Sequence, residues 1–262
     1  QLFAGKAVDA AIIWIDNKKT FDKVSKTITM PNGDVIQGTL DWRYTDVIVN
    51  ETKCRIESVF ERIVNGRKSM YELIPGRGPF GLSSTSFKKR QENFALKHDD
   101  YHHIKILVCE GGSEFYWVSE ADDFSYDGCD VRAKAIRLEN ADKWKMVFPK
   151  AGFVEQRPLS TWVLKPGEIF TDKYLCVFAD SEQDVLNIQK YFAAKFYRAG
   201  LGSKVTSWNL YRSWHSNIPQ QDFTAASDID WSKSVDDINR QLYVKYRLSS
   251  EEIRLIEAFI KG

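Results

Sequence analysis

Two spacings of apolar residues divide the chain. Short apolar runs, rich in β-branched and aromatic residues, occupy 8–15, 24–30, 35–42, 46–49, 104–109, 114–118, 144–148, 162–164 and 174–178. Runs of this length, bounded by turn residues, predict strands. Asn32-Gly33 lies between two of them and predicts a tight hairpin, because both turn positions take positive φ. Gly111-Gly112 predicts a second hairpin, and Lys165-Pro166-Gly167-Glu168 a turn before 174–178. Elsewhere the spacing is helical. Ile56, Val59, Phe60 and Ile63 predict a helix capped by Asn50, running to about Val64 and closed by Gly66. Val185, Ile188, Phe192 and Phe196, widened by Leu186, Ala193 and Tyr197, predict one long helix. Ser181 is its cap, Glu182 and Asp184 suit the positive end of its dipole, and Gly200 and Gly202 are its expected stop. Beyond residue 228, Ser234 precedes Val235, Ile238 and Leu242. Ser249 or Ser250 precedes Ile253, Ile256, Phe259 and Ile260, with Glu251 and Glu252 in the first turn. The expected fold class is α+β, a mixed and largely antiparallel sheet core with packed helices and a C-terminal helical hairpin. Residues 1–227 would form an α/β domain, and 228–262 the hairpin packed on it.

Composition changes this picture in two ways. The 262 residues are 43% hydrophobic and 28% charged, which is ordinary for a globular chain, but their formal charge is only +1. Any nucleic-acid surface must therefore be a local basic patch. Cys54, Cys109, Cys129 and Cys176 form no CxxC pair, and the expectation is four reduced thiols. No apolar run reaches the length of a membrane span and there is no signal-peptide pattern, so the protein is expected in the cytoplasm, without a membrane partner. The chain opens on Gln1 rather than Met, as a piece of a longer protein would.

Two stretches without a single acidic residue carry the candidate chemistry. The first, 73–91, contains Gly76, Gly78 and Gly81 with Pro75 and Pro79, then Ser83, Ser84, Thr85 and Ser86, then Lys88, Lys89 and Arg90. It lacks the Gly-Lys-Ser/Thr ending of a nucleotide-binding P-loop. Its main-chain NH groups, its hydroxyls and Arg77 still suit a DNA phosphate. The second, 198–221, holds Arg198, Lys204, Arg212 and His215, with Trp208, Tyr211 and Trp214 among them and Thr206, Ser207, Asn209, Ser213 and Asn217 between. Cations, amides, hydroxyls and rings on one loop suit phosphates and base edges. Lys150, at the end of a strand and near Gly152, is a further phosphate candidate.

Other motifs point elsewhere. Residues 47–53, VIVNETK, resemble the strand-borne Glu-x-Lys of a Mg²⁺-dependent nuclease, with Asp34 or Asp41 upstream and Glu51 and Lys53 at the metal. The helical stripe that starts after Asn50 places both residues in a helical turn instead. His98, Asp99, Asp100, His102 and His103 are too crowded in sequence to converge on one ion, so no metal site is assigned.

Together the motifs resemble a known family. AIIWIDNKKTF, DVIVNETKCRIESVFERIV, GRGPFGL, KWKMVFPKAGF and YLCVFADSEQDVLNIQKYFAAKFYR, then NIPQQDF and WSKSVDDINRQLYVKYRLSSEEIRLIEAFIKG, occur in the family's order. They resemble the C-terminal, TaqI-like target-recognition region of bacterial adenine-specific DNA methyltransferases of Type II restriction–modification systems. The chain departs from the family at Arg247, where glycine is usual, and across 98–139, which aligns with nothing in it. The resemblance implies sequence-specific binding of double-stranded DNA. Methyl transfer in the family needs an Asn/Asp-Pro-Pro-aromatic tetrapeptide and a glycine-rich turn for S-adenosylmethionine, and neither occurs here. The implied chain is therefore no enzyme on its own and binds no cofactor. Its partner would be a catalytic methyltransferase domain of the same parent chain, which holds S-adenosylmethionine and flips the adenine. In that role Arg77, Ser83, Ser84, Ser86, Lys88, Lys89, Lys150 and Lys204 would hold the backbone, and Ser207, Asn209, Arg212 and His215 would read bases. The alternatives are the nuclease above and a protein-interaction module whose exposed tryptophans bind a subunit.

Overall fold

The computed structural model describes residues 24–29, 35–40, 51–76, 79–80, 95–100, 104–109, 112–118 and 141–262. The expected strands at 8–15 and 46–49, the Asn32-Gly33 turn, the Asn50 cap and Cys129 lie outside them.

The architecture is α+β. Strands β1 (Val24–Thr29) and β2 (Val35–Leu40) pair antiparallel, Thr29 opposite Val35, as the flanking runs predict. Strands β3 (Ile104–Cys109) and β4 (Ser113–Val118) form the second expected hairpin. Strand β5 (Trp144–Pro149) is central in a third sheet, antiparallel to both β6 (Trp162–Leu164) and β8 (Tyr174–Ala179). Strand β7 (Ile169–Phe170) joins β3 in parallel. It is too short to leave a periodic trace in the sequence.

Alternation along β5 and β8 explains the layering. Met146, Phe148, Leu175 and Val177 face one apolar cluster built mainly with helices. Val147, Tyr174 and Cys176 face another, shared with Ile106, Leu107 and Val108 of β3. The third sheet is thus covered by helices on one face and by the β4-β3-β7 sheet on the other, which is why β5 reads as a continuous apolar run. Lys145 points into the second cluster with no exposed surface. Its ammonium donates to the carbonyls of Ala141 (2.7 Å), Lys143 (2.7 Å) and Lys165 (3.2 Å), so all three protons are used. Burial pulls its pKa down to about 8.

Helix α1 (Glu51–Val64) buries Ile56, Phe60 and Ile63, the stripe read from the sequence. The long helix expected from Ser181 is two helices. Ser181 does cap α2 (Glu182–Ala193), accepting from the Asp184 NH at 3.1 Å. The path then breaks at Ala194, whose ψ is 138°, and resumes as α3 (Lys195–Lys204). The cause is tertiary. Asn239, from the C-terminal hairpin, accepts from the Phe196 NH at 3.0 Å and so supplies the cap that Ala194 cannot. Gly200 and Gly202 do not stop the helix; they lie inside α3. A Cβ on Gly200 would stand 2.8 Å from the Phe60 ring, and one on Gly202 3.0 Å from Phe259. These glycines are there for close approach of α3 to its neighbours, not for termination.

Helices α4 (Val235–Lys245) and α5 (Ser250–Phe259) form the expected hairpin. Ser234 caps the first. Ser249 caps the second, accepting from the Glu252 NH while its own NH donates to the Glu252 carboxylate. Ile238, Leu242, Tyr243, Tyr246 and Ile256 join the helical cluster. Arg55–Glu251 (2.8 Å) and Arg62–Glu252 (2.6 Å) tie α5 to α1.

Candidate nucleic-acid interface

Just after β5 the main chain brings two of the three candidate segments together. The Gly152 NH donates to the Trp208 carbonyl (3.0 Å), and the Leu210 NH donates to the Lys150 carbonyl (2.8 Å). Ala151 therefore stands opposite Asn209 in a short antiparallel bridge. Gly152 has φ +147°, a conformation a side chain would strain. The Lys150 NH also donates to the Lys173 carbonyl (3.0 Å), which adds exposed Lys173 to the same edge. The Lys150 ammonium donates to the Asp172 carbonyl.

What this bridge presents outward is a mixed polar and aromatic patch. Thr206, Ser207 and Asn209 are exposed. Phe153 is 47% exposed, Trp208 60% and Tyr211 42%. The Phe153 and Trp208 rings meet edge to face with centroids 5.2 Å apart. Lys150, Ser207 and Asn209 were expected on such a surface. Phe153 and Lys173 were not. The available signal was a large ring amid small polar residues at Thr206, Ser207, Trp208 and Asn209; Phe153, in an apolar context, gave none.

The rest of 198–221 is buried or half-buried, which corrects the expectation of one exposed loop. Lys204 is only 8% exposed, and its ammonium is bonded to the buried Glu57 carboxylate. It is not placed to neutralise a phosphate. His215 has no exposed surface and reads no base edge. Its Nδ1 lies 2.6 Å from the Tyr197 hydroxyl, and Phe148 and Phe192 pack around the ring. Burial pushes its pKa down to about 3, so the ring is neutral. Arg198 is 1% exposed and donates to the main-chain oxygens of Val154 (2.8 Å), Gly262 (2.7 Å) and Lys261 (2.8 Å). Arg212 is half-buried, its guanidinium 3.8 Å above the Tyr71 ring and donating to the Tyr71 carbonyl at 3.2 Å. The physical reason is common to the three cations. Lys204, Arg198 and Arg212 find partners in carbonyls, a ring and one distant carboxylate, so no acid is needed nearby in sequence.

Arg77, Ser83, Ser84, Ser86, Lys88 and Lys89 lie outside the described residues. Phe80, from the same glycine-rich stretch, is fully buried between the sheets, edge-on to Phe170 at 4.9 Å. Among the described residues no group of His, Cys, Asp and Glu could hold a metal ion. The nuclease arrangement does not form: Glu51 and Lys53 begin helix α1 rather than sharing a strand. Lys53 donates to the Val205 carbonyl and pairs with Glu155 at 3.2 Å. His98, from the histidine-rich segment, packs edge-on to Trp117 at 4.9 Å. Among the described residues, Cys54, Cys109 and Cys176 form no disulfide. No described helix is long and apolar enough to cross a membrane.

No family model and no curated protein matches the chain. Fifteen chains of solved structures do. One is the type IIG restriction endonuclease BpuSI, with a TM-score of 0.39 and 10% identity over 87% of this chain and 35% of that one. This chain thus spans about a third of that enzyme's length. A likeness of this size carries no argument about activity.

Proposed function

We propose that this chain is a sequence-specific, double-stranded DNA-binding region, the target-recognition part of an adenine-specific DNA methyltransferase of a restriction–modification system. The observation that carries the reading is the bridge between 150–152 and 208–210. It sets half-buried Lys150, whose ammonium rests on the Asp172 carbonyl, and exposed Ser207 and Asn209, three residues suited to DNA contact on chemical grounds, along one edge beside exposed Lys173. The ordered motifs that resemble the family point the same way. Lys150 and Lys173 contact phosphates, and Ser207 and Asn209 contact base edges, Asn209 suiting adenine through a bidentate pair. The catalytic steps, and S-adenosylmethionine with them, belong to a separate domain of the parent enzyme.

The test is fluorescence anisotropy of the purified chain with a duplex of random sequence, titrated with salt. Expected is binding whose affinity falls along a straight log–log line, because each neutralised phosphate releases counterion. Lys150→Gln lowers that slope by about one. Absence of binding to any duplex at low salt overturns the reading.

A further inference from the structure

We propose that Phe153 and Trp208 form a stacking platform for an unpaired base, so that the chain holds DNA with an extrahelical nucleotide more tightly than fully paired duplex. The inference rests on the DNA-binding reading above and adds a substrate feature to it. Among the described residues, Phe153, Trp208 and Tyr211 are the large aromatic side chains that stand out in solvent, and the first two touch. Their backbones are fixed by the Gly152-to-Trp208 hydrogen bond, so the pair is held in place before any ligand arrives. With 60% of its surface exposed, Trp208 offers ring area beyond its contact with Phe153 that no other described residue covers. A paired duplex cannot use that area, because its bases show only their edges in the grooves. A base that has left the stack can, and such stacking tolerates any sequence. The surroundings favour a nucleotide over an apolar protein segment. Lys150 and Lys173 stand along the same main-chain pairing, Ser207 and Asn209 flank the indole, and no acidic residue occurs from 198 to 221.

The experiment compares two labelled duplexes that differ only by a three-nucleotide bulge, bound to wild-type chain, Trp208→Ala and Trp208→Phe. Wild type is expected to bind the bulged duplex about tenfold more tightly than the paired one, the effect of one base–aromatic stack. Trp208→Ala loses that preference and keeps its paired-duplex affinity within about twofold. Trp208→Phe, which retains a ring, keeps most of the preference. The side chain is largely solvent-exposed, so far-UV circular dichroism should be unchanged in both variants. A bulge preference that survives Trp208→Ala, or none in wild type with paired-duplex binding intact, overturns this inference alone. Failure to bind either duplex overturns both this inference and the DNA-binding reading. If Trp208→Ala instead abolishes capture of a protein partner and leaves both duplex affinities unchanged, the platform is a protein contact and the inference is wrong.

Discussion

The segment 198–221 is free of acids throughout but divides into two regions. Its interior part, with Arg198, Lys204, Trp214 and His215, is packed among α1, β5 and the C-terminal hairpin. Its surface part, 206–211, lies along the edge after β5 with Trp208 and Tyr211 in solvent. Both are aromatic and free of acids, but every cation of the segment lies outside 206–211. In the interior, carbonyls, a ring and the Glu57 carboxylate satisfy those cations. On the surface, 206–211 shows hydroxyls, an amide and rings with no charge of its own, beside Lys150 and Lys173. An acid-free stretch is therefore no measure of exposure. What separates the two parts is whether the side chains find partners elsewhere in the fold.

The interior part should register as stability. Arg198→Met removes well-formed charged hydrogen bonds to Val154, Lys261 and Gly262 and strands their carbonyls. The expected loss is about 3 kcal/mol or more, read as a shift of the urea midpoint at constant slope. A loss below about 1 kcal/mol would place Arg198 with surface residues and erase the distinction. Gly200→Ala comes next. An exposed helical glycine gains about 1 kcal/mol on this change, but here the new methyl meets the Phe60 ring, itself buried against Phe196. Overpacking should win by about 1–2 kcal/mol. The double variant with Phe60→Leu should recover part of the loss.

His215 makes the same contrast visible in pH. Its pKa lies near 3 in the folded chain, against about 6.5 when exposed. The unfolded chain thus binds a proton that the folded chain refuses. The stability held above pH 6.5 should fall as the pH drops from there toward 3, by about 1.4 kcal/mol per pH unit from this ring. Carboxylates titrate in the lower part of that window, so the measurement is a difference. His215→Gln should lower the pH slope of unfolding between about pH 4 and 6 by one proton. An unchanged slope would mean the ring reaches solvent.

Most elements were legible in the sequence because their causes are local. The apolar runs of β5 and β8, the Ser181, Ser234 and Ser249 caps and the stripes of α1 and α5 all lie within a few residues of what they specify. The break at Ala194 was not, since its cap is Asn239, 43 residues away from the Phe196 NH it accepts. The burial of Lys204 was not, since Glu57 lies 147 residues off. Of the edge that the 150–152 and 208–210 bridge builds, Ser207, Asn209 and Lys150 stand out in the sequence by their chemistry, whereas Phe153 joins it only through the fold. Arg247 shows a local cause that the sequence marked only as a departure from the resembled family. It stands where the resembled family has glycine, and its φ is +50°, just past the end of α4. The Leu248 NH reaches the Tyr243 carbonyl and the Arg247 NH that of Val244, both at 3.0 Å, which is the glycine-favouring Schellman closure. Arg247→Gly should raise stability by about 0.5–1 kcal/mol in thermal or urea unfolding.

The surface part should show the smallest effect on stability and the clearest one on binding. Asn209 sits in the bridge opposite Ala151, but the hydrogen bonds that hold it there are main-chain bonds of Gly152 and Leu210. Its exposed side chain adds nothing to them. Asn209→Ala should therefore change unfolding free energy by less than about 0.5 kcal/mol. On a cognate duplex the same change should cost about 1–3 kcal/mol, and on random duplex close to nothing, because an amide that reads a base edge has no work to do on the wrong base. Equal losses on both duplexes would make Asn209 a backbone contact. A loss of stability as large as that of Arg198→Met would show that surface and interior parts are one packed unit, and the contrast between them would fail.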